Sequence, residues 1–152
     1  IEGVYTGGLA SRYQKERFEK TCDKLGLKCF NPFWGINSEN HLRQLLSLKF
    51  KIMVVGVSAE GLDERWLGRI LDRSSVEDLI ALGKKFGFDP AFEGGEGETF
   101  VLDCSLFSKE IVVLDSSTHG KHGYYYLNIQ EALLSEKPLA KINLTHLHLL
   151  ER

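Results

Sequence analysis

The sequence predicts an α/β fold: a mostly parallel sheet flanked by helices, followed by a strand-rich C-terminal region. Three observations carry this expectation. Strand and helix patterns alternate through residue 86, as in domains built around a parallel sheet. The run "KIMVVGVS" at residues 51–58 is continuously apolar and β-branched, as expected of a central parallel strand covered on both faces. Beyond it, "TFVLDC", "EIVVLD" and "YYYLNI" crowd three strand-like runs together, with room for only turns between the first two. A hairpin-bearing β region is expected there.

The elements follow in order. Residues 2–6 read as a short strand entering a glycine turn. Ser11 and Gln14 then make the S-x-x-Q pattern of a capping box. Phe18, Cys22 and Leu25 recur on one helical face, and Gly26 is placed to end that helix. "LKCF" is a short strand, followed by a loop with Pro32 and Trp34. Ser38 is placed to cap a second helix carrying Leu42, Leu45, Leu46 and Lys49. In "GLDERWLGRILD", Leu62, Trp66 and Ile70 are spaced to line one face of a helix over residues 61–72. Ser74 and Glu77 suggest a further capping box, opening a helix through Val76, Leu79 and Ile80 that Gly87 can terminate.

Composition narrows the function classes. With 152 residues, 43% hydrophobic and 26% charged, the chain suits one domain or two small lobes sharing a core. No apolar run is long enough to span a bilayer, and no signal-peptide succession is present. The formal net charge of −2, with its cations scattered, argues against nucleic acid held mainly through phosphates. Cys22, Cys29 and Cys104 are odd in number and form no C-x-x-C pair, so a reduced, cytoplasmic protein is the simplest reading. The chain starts at Ile1 in what already reads as a strand, and a fragment of a longer protein is expected.

The sharpest chemical pattern is "EGGEGET" at residues 93–99. Phosphate-cradling glycine loops carry lysine or serine, whereas Glu93, Glu96 and Glu98 repel an anion. A cation is the better guest, directly or as a metal holding phosphate; the alternative is a surface turn with solvated glutamates. Asp103, inside the following apolar strand, needs a partner. Tyr13 and Arg17 lie four apart on one helical face with Gln14 beside them, near a helix N-terminus that favours anions. A solvated ion pair is the alternative reading of Arg17, and Arg65 and Arg69 repeat the same spacing. Trp34, Trp66, Tyr13 and Phe92 can form a cage for an alkylated ammonium only if they converge near the glutamates. His119, His122, His146 and His148 match no strong metal motif, and no metal site is expected. Cys104 reads as a buried thiol rather than a nucleophile.

Four segments, "TGGLASRYQKERFEKTCDKLGLK", "PFWG", "SAEGLDERWLGR" and "FEGGEGETFVLDCSLF", together resemble the diphthine–ammonia ligases of archaea and eukaryotes, which belong to the N-type ATP pyrophosphatases. The resemblance covers about residues 3–113. It implies that residues 1–88 are the C-terminal part of an adenine-nucleotide α-hydrolase-like core and that residues 89–152 form a strand-rich, substrate-side region. It also implies an enzyme that uses ATP and Mg2+ to activate the carboxylate of diphthine, on the translocating elongation factor, as an acyl-adenylate. Ammonia, entering as ammonium, then displaces AMP. The family's S-G-G-K-D-S loop is absent from this chain, so these residues alone are expected to be inactive.

By the same resemblance, Gly7, Gly8, Tyr13, Gln14 and Arg17 are expected at the nucleotide. Glu93, Glu96 and Glu98 are expected to position the cationic substrate, or to bind ammonium and help deprotonate it, unless one of them orients magnesium on the phosphates. Gly94, Gly95, Thr99, Asp103 and Trp34 are expected to contact substrate. Two positions depart from the family pattern: Gly97 stands where an aromatic residue is usual, and Ser105 where proline is usual. No DNA or membrane partner is implied, and a homodimer is allowed. The rival readings are a stand-alone binding module that has lost the ATP loop and a nucleotide-binding stress-type domain without ligase activity.

Overall fold

The computed structural model describes residues 1–121 and 123–137. Strands β1 (Gly3–Tyr5) and β2 (Lys28–Phe30) pair in parallel, joined by helix α1 (Arg12–Leu25). A parallel pair needs such a crossover because its ends lie on opposite sides. Ser11 caps α1 by accepting from the Gln14 N–H at 3.4 Å, and Gly26 closes it in the left-handed conformation at φ 65°. Both were legible.

Helix α2 (Ser38–Ser47), strand β3 (Lys51–Val57), helix α3 (Arg73–Phe86), and strands β4 (Gly97–Asp103), β5 (Lys109–Lys121) and β6 (Tyr124–Glu136) complete the described chain. The second sheet has the order β4-β3-β6-β5, and all its pairings are antiparallel. The α/β class and the strand-rich C-terminal region are therefore as expected, but among the described residues the parallel pairing is confined to β1 and β2. An unbroken apolar run reports burial on both faces, which β3 has, and says nothing of the direction of its partners. The long hairpin joins β5 to β6, and β4 lies at the opposite edge, beyond β3.

Three further expectations are corrected. Residues 61–72 do not form a helix. A single 3-10 turn at Glu64–Trp66 is followed by extended chain that bonds along β3, Val54 N–H donating to Arg69 O at 3.0 Å and Leu71 N–H to Ile52 O at 2.8 Å. Gly61 at φ 88° and Gly68 at φ 78° break the helical path at both ends. Leu62 and Trp66 are nevertheless buried, while Ile70 is not. Helix α2 is capped by Asn37 rather than Ser38, whose hydroxyl donates instead to Asp89 at 2.7 Å. Helix α3 is capped by Asp72 with Ser75 in a reciprocal box, rather than by Ser74 and Glu77; Glu77 receives Arg43 of α2 at 3.1 Å.

The core lies where α2 and α3 cover β3, with Leu42, Val54, Val57, Val76, Leu79 and Ile80 at its centre. The division expected at residue 88 falls between α3 and β4, while β3 pairs with β4 and β6 across it. No helix among the described residues is long and apolar enough to cross a membrane.

Leu79 is 0% exposed, so Leu79→Ala should cost about 2–5 kcal/mol in urea unfolding. The Ser75 N–H and hydroxyl hold the Asp72 carboxyl below its usual range. Its contribution to stability is therefore present in full above about pH 4, the unfolded value, and is lost as pH falls through the folded value. The melting-temperature gap between wild type and Asp72→Ala should narrow on acidification below pH 4.

Candidate functional site

The acidic loop is built by its own hydrogen bonds. After α3, Asp89 caps a tight turn, its carboxylate accepting from Ala91 N–H at 2.8 Å and its carbonyl from Phe92 N–H at 2.9 Å. The Glu96 carboxylate accepts from Asp89 N–H at 3.1 Å and from Gly94 N–H at 2.8 Å. Both of its oxygens are thus committed to folding the loop. Ser58, at the end of β3, secures the far side: its N–H donates to Glu96 O and its hydroxyl to Gly95 O, each at 2.8 Å. A Cβ on Gly94 would lie 2.5 Å from Glu96 Oε1, so a larger residue there would displace the Glu96 carboxylate from its loop bonds.

Gly97 has a similar cause. The Phe92 ring lies 2.7 Å, and the Gly56 carbonyl oxygen 2.8 Å, from where its Cβ would be. Phe92 itself adopts φ 64°, unusual for a bulky residue. An aromatic ring therefore occupies the space beside position 97, supplied from five residues upstream.

Glu93 points the other way along the chain. Its Oε2 accepts from the N–H of Leu9 at 2.9 Å, across 84 residues of sequence. Leu9 is 1% exposed, and its carbonyl accepts from Gly35 N–H at 2.8 Å. The "TGGLAS" turn, the "PFWG" loop and the acidic loop are joined at this one backbone unit.

On the outer side of that junction, Gly7, Gly8, Tyr13, Gln14 and Arg17 line one open cleft of about 710 Å³, with Tyr5 and Phe18. A Cβ on Gly7 would meet nothing within 4 Å, so packing does not demand that glycine and the backbone there stays open. Arg17 donates to the Tyr13 hydroxyl one helical turn away. Trp34 joins this side: Lys15 Nζ lies 4.6 Å from its ring centroid, and the ring shares a narrow recess with Gly8 and Gln14.

On the inner side lies a cavity of about 140 Å³ lined by Leu9, His41, Leu45, Phe92, Glu93 and Thr99, among others. His41 is the residue that sequence reasoning missed. Its Nδ1 is buried without a hydrogen-bond partner among the described residues, and its ring lies against Phe33 with centroids 5.4 Å apart. Burial pulls its pKa below the ordinary value, partly offset by the charge of Glu93. The available signal was its spacing, four before Leu45 on the inward face of α2.

Other expected residues lie elsewhere. Glu98 is exposed on β4. Asp103 sits at the far end of β4 from the acidic loop and pairs with Lys137, whose ammonium also donates to Cys104 O at 2.6 Å. Its partner is thus a lysine of this chain. The four aromatics form no cage: Trp66 is in the core with Arg69 at 4.5 Å from its ring centroid, and Trp34, Tyr13 and Phe92 serve the separate places given above. Arg65 pairs with Asp63 and Arg69 with Asp78. His119 contacts Ser117 at 2.9 Å and stacks on Tyr126, while His122, His146 and His148 lie outside the described residues. Cys22 and Cys104 are buried free thiols. Among the described residues, no three His, Cys, Asp or Glu side chains converge to hold a metal ion.

Residues 37–134 match the family model described as the diphthamide synthase C-terminal domain. The diphthine–ammonia ligase of Homo sapiens is 43% identical over 118 residues, covering 77% of this chain and 43% of that protein. That of Mus musculus is 39% identical over 153 residues, covering 100% of this chain and 53% of that protein. The Schizosaccharomyces pombe ligase is 38% identical over 141 residues, covering 91% of this chain and 23% of that protein. The chain spans about half the length, or less, of these relatives.

Glu96→Ala should release the acidic loop while leaving the β3 core intact. Removing two charge-assisted bonds from a partly exposed site should cost about 1–2 kcal/mol locally. Amide exchange at Asp89 and Gly94 should rise about tenfold, with exchange at Val54 unchanged.

Proposed function

The chain belongs to the family of the diphthamide synthase C-terminal domain, and from that membership we propose that the full-length protein is an ATP-dependent carboxylate–ammonia ligase of the diphthine–ammonia type. The observation that best supports this reading is the Glu93–Leu9 hydrogen bond. It sets an open cleft with a cation and a helix N-terminus beside an acidic loop with a small, partly open cavity. A ligase that joins an activated carboxylate to ammonia needs both an anion-binding and a cation-binding region, next to each other.

The cleft suits a nucleotide. The Arg12 and Tyr13 N–H groups at the start of α1 and the Arg17 guanidinium offer donors to phosphate, the bare backbone at Gly7 leaves room, and Tyr13 offers an aromatic surface. ATP supplies the adenylyl group that converts an unreactive carboxylate into one ammonia can attack, with release of pyrophosphate and then AMP. The acidic side suits the other reactants. The exposed Glu98 carboxylate favours the trimethylammonium group of diphthine, on a modified histidine of the translocating elongation factor, and Glu93 favours ammonium. Glu96 shapes the loop rather than acting on substrate. Among the described residues no three potential ligands converge on a metal, so no residue is assigned to magnesium, which would arrive on the ATP phosphates.

The test uses the full-length protein, ATP, ammonium and the diphthine-bearing factor, with amide formation followed by mass spectrometry of the modified histidine peptide. Arg17→Ala should lower kcat/KM for ATP by about tenfold to a hundredfold, the loss of a charge-assisted contact to phosphate, with unchanged circular dichroism. Unaltered kinetics would remove the nucleotide from this cleft. Absence of amide product with the wild-type protein would remove the ligase reading.

A further inference from the structure

We infer that the cavity between α2 and the acidic loop is the ammonium-binding subsite, with His41 and Glu93 as its two acceptors. The inference rests on the ligase reading for its biological meaning and on the cavity for its chemistry. At about 140 Å³ the space is well below the roughly 300 Å³ at which pockets for drug-sized ligands begin, so neither a nucleotide nor a modified histidine fits inside. It has room for a few molecules the size of water. A small ligand is required.

The lining sets the ligand's charge and hydrogen-bonding sense. Leu9, Leu42, Leu45 and Phe92 supply apolar wall, about half of the lining surface, and such surface favours an ion only where a counter-charge is present. Glu93 provides it. Among the described residues its carboxylate accepts only the Leu9 N–H, leaving capacity for further donors. His41 Nδ1 is buried with no protein partner among the described residues, which leaves it able to bond to a ligand in the cavity. Burial favours the neutral imidazole, which can accept one N–H, whereas an imidazolium would repel a cation. The ligand that satisfies both groups is a small cation with several N–H donors in different directions. Potassium has similar charge and size but donates nothing, so it is the natural control. Thr99, on the same cavity wall, offers a third oxygen.

The experiment follows the His41 ring nitrogens by 15N NMR in the 152-residue chain, titrated with ammonium chloride or with potassium chloride at equal ionic strength. Ammonium should shift the Nδ1 resonance saturably where potassium does not, and Glu93→Gln should weaken that response about tenfold. No shift, or an equal shift with potassium, overturns the subsite. In the full-length protein, His41→Phe should raise KM for ammonia about tenfold and leave KM for ATP unchanged; if it unfolds the chain, His41→Gln serves, and an unchanged KM for ammonia in a folded variant also overturns the subsite. An ammonium-specific shift without amide formation by the full-length protein would leave the subsite standing and sink the ligase reading instead.

Discussion

The hydrogen bond from Leu9 N–H to the Glu93 carboxylate is the contact on which the proposed site depends. It spans the described sequence from the first loop to the last loop before β4, and it engages a donor that is otherwise buried. A buried N–H left unpaired costs about 1–3 kcal/mol, so a carboxylate at position 93 is a structural requirement before it is a chemical one. The Leu9 carbonyl is satisfied by Gly35, which brings the "PFWG" loop to the same point. Three loops that hold nothing in common by sequence position thereby become one surface, with the cleft of α1 on one side and the His41 cavity on the other.

The glutamates of the acidic loop consequently have different physical roles. Glu96 is spent on backbone donors of its own loop, Glu93 bridges to Leu9 while keeping acceptor capacity toward the cavity, and Glu98 faces solvent on β4. The glycines divide in the same way. Gly97 is demanded by the Phe92 ring and the Gly56 carbonyl, a Cβ at Gly94 would push on the Glu96 carboxylate, and Gly7 leaves space open. Alternation of Glu and Gly is thus one motif built from two kinds of constraint, packing and access.

Much of this was legible in the sequence because it depends on local chemistry. The cap at Ser11, the stop at Gly26, the two-sided burial of β3 and the acidic loop itself follow from neighbouring residues. The direction of the strands beside β3 does not, since antiparallel and parallel partners bury the same apolar run. The helix expected over residues 61–72 failed because two left-handed glycines outweighed an apolar spacing that extended chain also satisfies at Leu62 and Trp66. Asp103 was correctly marked as needing a partner, but Lys137 lies too far along the chain to be chosen from spacing. His41 was overlooked because a histidine beside leucines on α2 gains meaning only when Glu93 is seen on the same cavity.

The most direct measurement is amide hydrogen exchange at Leu9 in the wild-type chain and in Glu93→Ala. If the carboxylate holds the two loops together, Leu9 is protected in the wild type and exchanges about tenfold or more faster in the variant, the equivalent of about 1.4 kcal/mol, while amides of β3 are unaffected. Equal protection of Leu9 in both chains would mean that the loops meet without Glu93, and the cleft and cavity would then have to be treated as unconnected features.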